Sequence, residues 1–166
     1  MFDLQRELID TLSATPETLA GLLRGVSPAQ ARSAVGGDES WSVVEVLCHL
    51  RDAEEINLGR VRAMLDENNP EIAGFDQLAL AREHNYREAE PLTALADFTR
   101  LRAEYIAVLA ALAPPDWERP ARHKEFGTIT IVAQALHRTS HDAIHCAQIA
   151  RQLLATDRRQ PPTANR

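Results

Sequence analysis

The chain is short of the residues that several kinds of protein are built from. It has two cysteines in 166 residues, Cys48 and Cys146. Two are too few for a disulfide framework. They read as free thiols, small buried hydrophobes in a reducing compartment. Aromatic residues make up only 5%. The 18 lysines and arginines are outnumbered by 24 acidic residues, for a formal net charge of −6. Without a basic stripe there is no footprint for a nucleic-acid backbone, and none is expected as a partner. No apolar run is long enough to span a bilayer, so no membrane partner is expected either. The N-terminus lacks the basic flank and apolar stretch of a signal peptide, so the expected location is cytoplasmic. Glu-x-x-His is absent, which argues against a ferritin-like dinuclear site, and so is His-Glu-x-x-His.

What is present favours helices. The hydrophobic share is 45% and the charged share 25%, an ordinary globular balance rich in alanine and leucine. The length suits a single domain, placed at residues 1–156, with a polar, proline-containing tail at 157–166 that is expected to fray. Apolar residues at 2, 4, 8, 9 and 12, then Leu19, Leu22 and Leu23, predict one bent helix or two abutting ones over 2–24. Thr15-Pro16-Glu17 marks a helix restart inside that span. Residues 27–39, with Gly36-Gly37, form a connector. Ser42 and Glu45 have capping-box spacing, and the apolar face that follows runs to Asn68-Asn69-Pro70. Residues 71–90 are polar and mixed, with a short helix at Asp76 to Glu83. Pro91 to Leu112 is the third long helical pattern, closed by Pro114-Pro115. Residues 116–128 form a loop that tolerates a short hairpin, and Thr128 or Thr130 caps a last helix, Ile129 to Leu154. The expected fold is all-α, an antiparallel four-helix bundle.

The last helix is apolar over roughly two-thirds of its circumference. Val132, Leu136, Ala143, Ala147, Ala150 and Leu154 cover one side, and Ile131, Ala135, Cys146, Ile149 and Leu153 another. The second side predicts burial in a homodimer or under residues 71–90. The remaining polar strip is Gln134, His137, Arg138, His141, His145, Gln148 and Gln152, and it can face either water or a site.

Three of the six histidines, His137, His141 and His145, stack on that strip at successive four-residue steps. Two such imidazoles can grip one metal ion, and a stable site needs a third ligand. His49 is the candidate, on the rim of another long helix's apolar face. Three neutral imidazoles with an open fourth position form the catalytic type of site. His137 is assigned a supporting or cavity-lining role, and Gln148 either lines the same pocket or lies on the surface. Glu45 and Asp52, each about a turn from His49, either orient an imidazole, act as a base or solvate the helix. His84 and His123 fall in connectors and read as solvated. Trp41 reads as a core anchor.

The segment from Trp41 to Glu54, with Cys48-His49-Leu50, resembles the second helix of DinB-like proteins. His141-Asp-Ala-Ile-His145-Cys-Ala-Gln148 resembles their closing His-x-x-x-His-x-x-Gln helix. The superfamily includes YfiT-like proteins, bacillithiol S-transferases and mycothiol-dependent maleylpyruvate isomerases. The resemblance implies a four-helix bundle, commonly dimeric, whose His49, His141 and His145 bind a divalent metal, often zinc or nickel. It implies a small-molecule substrate, with a low-molecular-weight thiol or water activated for S-transfer or hydrolysis. The competing expectation is a non-catalytic dimeric stress-response bundle with a structural or adventitious metal.

Overall fold

The computed structural model describes residues 3–34 and 41–157. Gly36-Gly37 and the tail from residue 158 onward lie outside the described residues. Six α-helices occur among the described residues: α1 (Leu4–Leu22), α2 (Pro28–Arg32), α3 (Val43–Asp66), α4 (Gln77–Glu83), α5 (Pro91–Ala110) and α6 (Ile131–Asp157). Three short strands accompany them: β1 (Glu71–Ile72), β2 (Pro120–His123) and β3 (Gly127–Thr130).

The helix starts follow from local chemistry. The Ser42 hydroxyl accepts from the Glu45 N–H, and the Glu45 carboxylate accepts from the Ser42 N–H at 2.8 Å, so the expected capping box is formed. Ser27 and Gln30 form a second one, which starts the five-residue α2 inside what the sequence offered as a plain connector. Of the two candidate caps for α6, Thr130 takes the part, accepting from the Ala133 N–H at 3.3 Å. Pro16 does not divide α1, which runs through it as one helix. A proline inside a helix leaves the carbonyl four residues back without its usual donor. That carbonyl is Leu12, and the Arg102 side chain donates to it at 2.9 Å.

The four long helices α1, α3, α5 and α6 form the expected bundle. α1 and α3 each pack on both α5 and α6, so the chain crosses the bundle diagonally twice. Two buried clusters show the directions. One joins Leu8 and Leu12 of α1, the C-terminal halves of α3 and α5, and Ile131 at the start of α6. The other joins Leu19 and Leu23, the N-terminal halves of α3 and α5, and Ile149. Antiparallel packing therefore holds for α1 with α5 and for α3 with α6, while α3 with α5 and α1 with α6 run parallel. Residues 67–90 explain the difference. They are a return crossover carrying β1 and α4 back along the bundle, not a short turn. The β2–β3 hairpin, allowed for at 116–128, is present, and β1 joins its edge in parallel with β2.

The orientation of α6 differs from the sequence expectation. Its inward positions are 131, 134, 135, 138, 142, 149, 152 and 156, so Gln134, Arg138, Asp142 and Gln152 face inward. Ile131 and Ile149 are buried inside this chain's own bundle, without need of a partner. The outward apolar side is the other one, with Leu136 at 55%, Ile144 at 59% and Leu154 at 61% exposure. Ile149→Asp should thus unfold the chain itself, lowering its stability by about 3 kcal/mol or more through a buried unpaired carboxylate. A denaturant midpoint within error of wild type would contradict that placement.

Candidate metal centre

His49 rides on the buried face of α3, and His141 and His145 lie one turn apart on α6, which faces α3 across the bundle. The Nε2 atoms of His49 and His141 are 3.0 Å apart. The His145 ring centroid lies 4.7 Å from that of His49 and 4.4 Å from that of His141. One ring nitrogen from each residue falls within 4.8 Å of the others. Zinc–nitrogen bonds of about 2.0–2.1 Å would separate tetrahedral ligands by roughly 3.4 Å, so small rotations close the set on one ion. His137 stays outside it, with its ring 6.0 Å from that of His141, and lines the neighbouring cavity as expected.

The donor set fits a divalent cation, because all three imidazoles are held in the neutral, coordinating form. Burial, followed by the neighbouring His141 and His145, pushes His49 down to about 3. Burial lowers His141 to about 4, and burial lowers His145 as well. His145 Nδ1 donates to the Gln148 side-chain oxygen at 2.8 Å, which leaves Nε2 bare and pointed at the cluster. Gln148 thus belongs to the site. Trp41 packs against the His49 ring, with centroids 4.9 Å apart, and its carbonyl accepts from Gln152 of α6. The Asp142 carboxylate stands 4.0 Å from His141 Nδ1, too far for a hydrogen bond. The Nδ1 atoms of His49 and His141 are buried without a partner.

Two consequences are measurable. Gln148→Leu should weaken metal binding about 10- to 100-fold without unfolding the chain, as loss of an imidazole's orienting partner does elsewhere. Competition with a chromogenic chelator reads this, and an unchanged affinity would remove Gln148 from the site. The second concerns the metal-free protein. The three histidines have folded pKa values below their ordinary 6.5. Between about 3 and 6.5 the unfolded chain therefore binds more protons than the folded one, and stability falls as pH falls. The denaturant midpoint should drop between pH 7 and pH 5. A flat midpoint over that range would show the imidazoles to be solvated.

Other sequence candidates are placed elsewhere. Glu45 caps α3 and pairs with Arg87 at 3.0 Å, so it neither orients His49 nor serves as a base. Asp52 is buried, but it accepts from the Tyr86 hydroxyl at 2.6 Å and pairs with His84 Nδ1 at 2.7 Å. It anchors the crossover to α3. His84 is therefore paired, and His123 is buried at 4% exposure, where the sequence suggested solvent for both. Cys48 is buried beside the site, and burial raises its thiol to about 11, an inert hydrophobe as expected.

A cavity of about 510 Å³ opens from the histidines and runs between α3 and α6. His49 and His141 form one end of it. The hairpin covers it with His123, Phe126 and Ile129, and Phe75 of the crossover adds a further wall. Sequence reasoning missed this wall. No local pattern marks a connector that folds back over a helix pair.

Known proteins of similar sequence carry matching chemistry in their names. A protein of Oceanobacillus iheyensis named as a candidate metal-dependent hydrolase is 30% identical over 91 residues, 55% of this chain and 52% of that one. YfiT of Bacillus subtilis, named likewise, is 25% identical over 120 residues, 70% of this chain and 67% of that one. The match thus spans about half the length of the first relative and two-thirds of the second. The solved structure of YfiT, described as a four-helix bundle of unusual topology, superposes with a TM-score of 0.76. It covers 89% of this chain and 86% of that one at 24% identity, a likeness of fold. The diagonal crossings and the return crossover are this chain's own departure from a simple up-and-down bundle. Residues 11–149, from the middle of α1 to Ile149 beyond both α6 histidines, match the family described as the DinB superfamily, and the chain belongs to that superfamily.

Proposed function

We propose that the chain is a metal-dependent hydrolase acting on a small molecule. One observation carries this reading: three neutral imidazoles from two helices converge, and two of them, His49 and His141, line one end of a covered cavity. His49, His141 and His145 would hold the ion, with zinc or nickel suited to an all-imidazole set. A divalent ion there supplies Lewis acidity, polarising a substrate oxygen and providing a nucleophile at neutral pH. The protein's own part is to keep the imidazoles neutral by burial, to fix His145 through Gln148, and to shield the cavity with the hairpin. The names of the relatives support hydrolysis over the other chemistries.

Transfer to a low-molecular-weight thiol, which the sequence resemblance suggested, would use the same centre, because a coordinated thiol is deprotonated at neutral pH. Product analysis separates the two. The protein should be purified without a nickel column and assayed for bound metal, then for turnover of an ester and amide panel with and without added thiol. Stoichiometric metal and thiol-independent hydrolysis are expected. Turnover only with thiol would replace hydrolysis by transfer. A stable, metal-free, inert protein would leave the non-catalytic bundle. The outward stripe of Leu136, Ile144 and Leu154, with Ala143 and Ala147 between them, supports a homodimer, which sedimentation of the same preparation checks. No helix among the described residues is long and apolar enough to cross a membrane.

A further inference from the structure

Beyond the three histidines, the cavity holds a second group of polar side chains, several of whose donors are unmade. Asn57 and Arg60 follow His49 along α3, and Gln134 and Arg138 precede His141 along α6. All four line the cavity. Asn57, Gln134 and Arg138 are 2%, 6% and 4% exposed. Yet Asn57 Nδ2, Gln134 Nε2 and Arg138 Nε have no hydrogen-bond partner. Asn57 also adjoins the Tyr105 hydroxyl, which is likewise buried without a hydrogen-bond partner. The guanidinium Nε of Arg138 can only donate. Buried donors left unmade are costly, and three around one space point to acceptors supplied by a ligand.

The charges agree with the donors. Arg102 and Arg138 are matched by Glu54 and Asp142. Arg60 reaches no carboxylate at ion-pair distance among the described residues, and Glu125 acts on it only through its charge. Its guanidinium donates to the Ala73 carbonyl and stands 5.9 Å over the Phe75 ring. Burial and the nearby charge of Arg138 hold Arg60 below its ordinary pKa, against the opposing pull of Glu125. Glu125 is the one carboxylate among the described residues lining the cavity, and its oxygens lie against Gly74 at the crossover. Phe75, Phe126 and Ile129 supply apolar walls.

We infer that the end of the cavity away from the histidines is a recognition subsite for a carboxylate carried on an apolar body, so that the substrate is an organic monoanion. This rests on the cavity being the substrate site of the hydrolase proposed above. A carboxylate suits the subsite because its two oxygens match a guanidinium edge and amide donors in one plane. Seven residues of α6 separate Gln134 from His141, and eight of α3 separate Asn57 from His49. At 1.5 Å rise per residue, Arg138 stands about 5 Å from His141 along the helices, Gln134 and Asn57 about 10–12 Å from the histidines, and Arg60 about 16 Å from His49, so an anion held by Arg60 and the two amides lies on the order of 10 Å or more from the histidines. The bond to be cleaved then lies at the far end of the substrate from its carboxylate.

Benzoate and benzamide, a charged and a neutral probe of one shape and too short to bridge the two ends, test this by calorimetric or NMR titration. They should be titrated into the wild-type protein and into His145→Ala, whose substituted side chain does not line the cavity. Benzoate should bind about tenfold tighter than benzamide in both, as loss of one charged hydrogen-bonding partner implies. Arg60→Gln should erase that preference with metal content unchanged, and Arg60→Lys should keep most of it. Equal affinities for the two probes overturn the subsite. So does a preference that disappears in His145→Ala, because the carboxylate would then be binding the metal. The two readings fail separately. A wild-type protein without metal that still prefers benzoate sinks the hydrolase and keeps the subsite. An active metal-loaded protein indifferent to charge does the reverse.

Discussion

Alanine at His49, His141 or His145 should each abolish stoichiometric metal and reduce hydrolysis to background, while His137→Ala keeps both. The asymmetry follows from geometry. On α6, residues 137 and 145 are about 12 Å apart along the axis at 1.5 Å per residue. Bonds of about 2 Å cannot join both to one ion. The ion must therefore lie between 137 and 141 or between 141 and 145. The structure brings His49 to the second pair, with Nε2 at 3.0 Å from that of His141, and leaves His137 on the cavity wall. With three protein ligands, each loss removes a third of the donor set, so the deficit should exceed the 10- to 100-fold expected for Gln148. Elemental analysis of the four variants and turnover of the best panel substrate read the result. Metal lost in His137→Ala and kept in His145→Ala would place the centre one turn away. Normal metal in all four would mean that no such centre exists.

Much of this was legible in the sequence, for identifiable reasons. The long helices announced themselves by apolar spacing, and α3 by the Ser42–Glu45 capping box, because both signals are local. The histidine cluster was legible only in part: four-residue spacing left His137–His141 and His141–His145 both open as pairs, His49 stood on another helix's apolar rim, and the choice of the second pair came from the family resemblance. The inward side of α6 was not legible. Its core-facing positions carry Gln134, Arg138 and Asp142, which pattern reasoning assigns to water. Arg138 and Asp142 are inside because Glu54 and Arg102 on other helices neutralise them, and Gln134 because it lines the cavity; no one-dimensional pattern records a partner dozens of residues away. For the same reason Ile131 and Ile149, read as needing cover from a second subunit or from residues 71–90, find it in α1, α3 and α5. The parallel pairing of α3 with α5 escaped notice because residues 71–90 look like a loop. Asp52, holding Tyr86 and His84, is what makes that loop a crossover fixed to the bundle. The cavity walls were the least legible, since Phe75 and Phe126 acquire a meaning only once their connectors fold over the histidines.

Arg102→Met should destabilise the protein by about 3–5 kcal/mol, the usual cost of removing one partner from a buried ion pair. Arg102 is 1% exposed on α5. Its Nε and one terminal nitrogen donate to the two Glu54 oxygens at 2.6 and 2.9 Å, a bidentate pair with α3. The other terminal nitrogen donates to Asp142 on α6 at 2.7 Å and to the Leu12 carbonyl on α1. Thr15 donates to the same Asp142 oxygen at 2.9 Å. One guanidinium thus joins all four long helices, and it occupies the carbonyl that Pro16 leaves without a donor. Methionine fills similar volume, so the loss is one of charge and hydrogen bonds rather than of packing. Two buried carboxylates would then face Arg138 alone, whose contacts to them are longer, at 3.4 and 3.5 Å. The core would carry an uncompensated negative charge, against a total stability of about 5–15 kcal/mol for a domain. Thermal unfolding of the metal-free protein should shift down by on the order of 10 °C. Asp142 adjoins His141 in sequence, so the same substitution should loosen the metal centre and lower metal affinity in the fraction that remains folded. Glu54→Met in the Arg102→Met background should recover part of the lost stability, because it removes the stranded carboxylate. A single variant that melts with the wild type, or a double variant no better than the single, would show that the network does not hold the bundle in register.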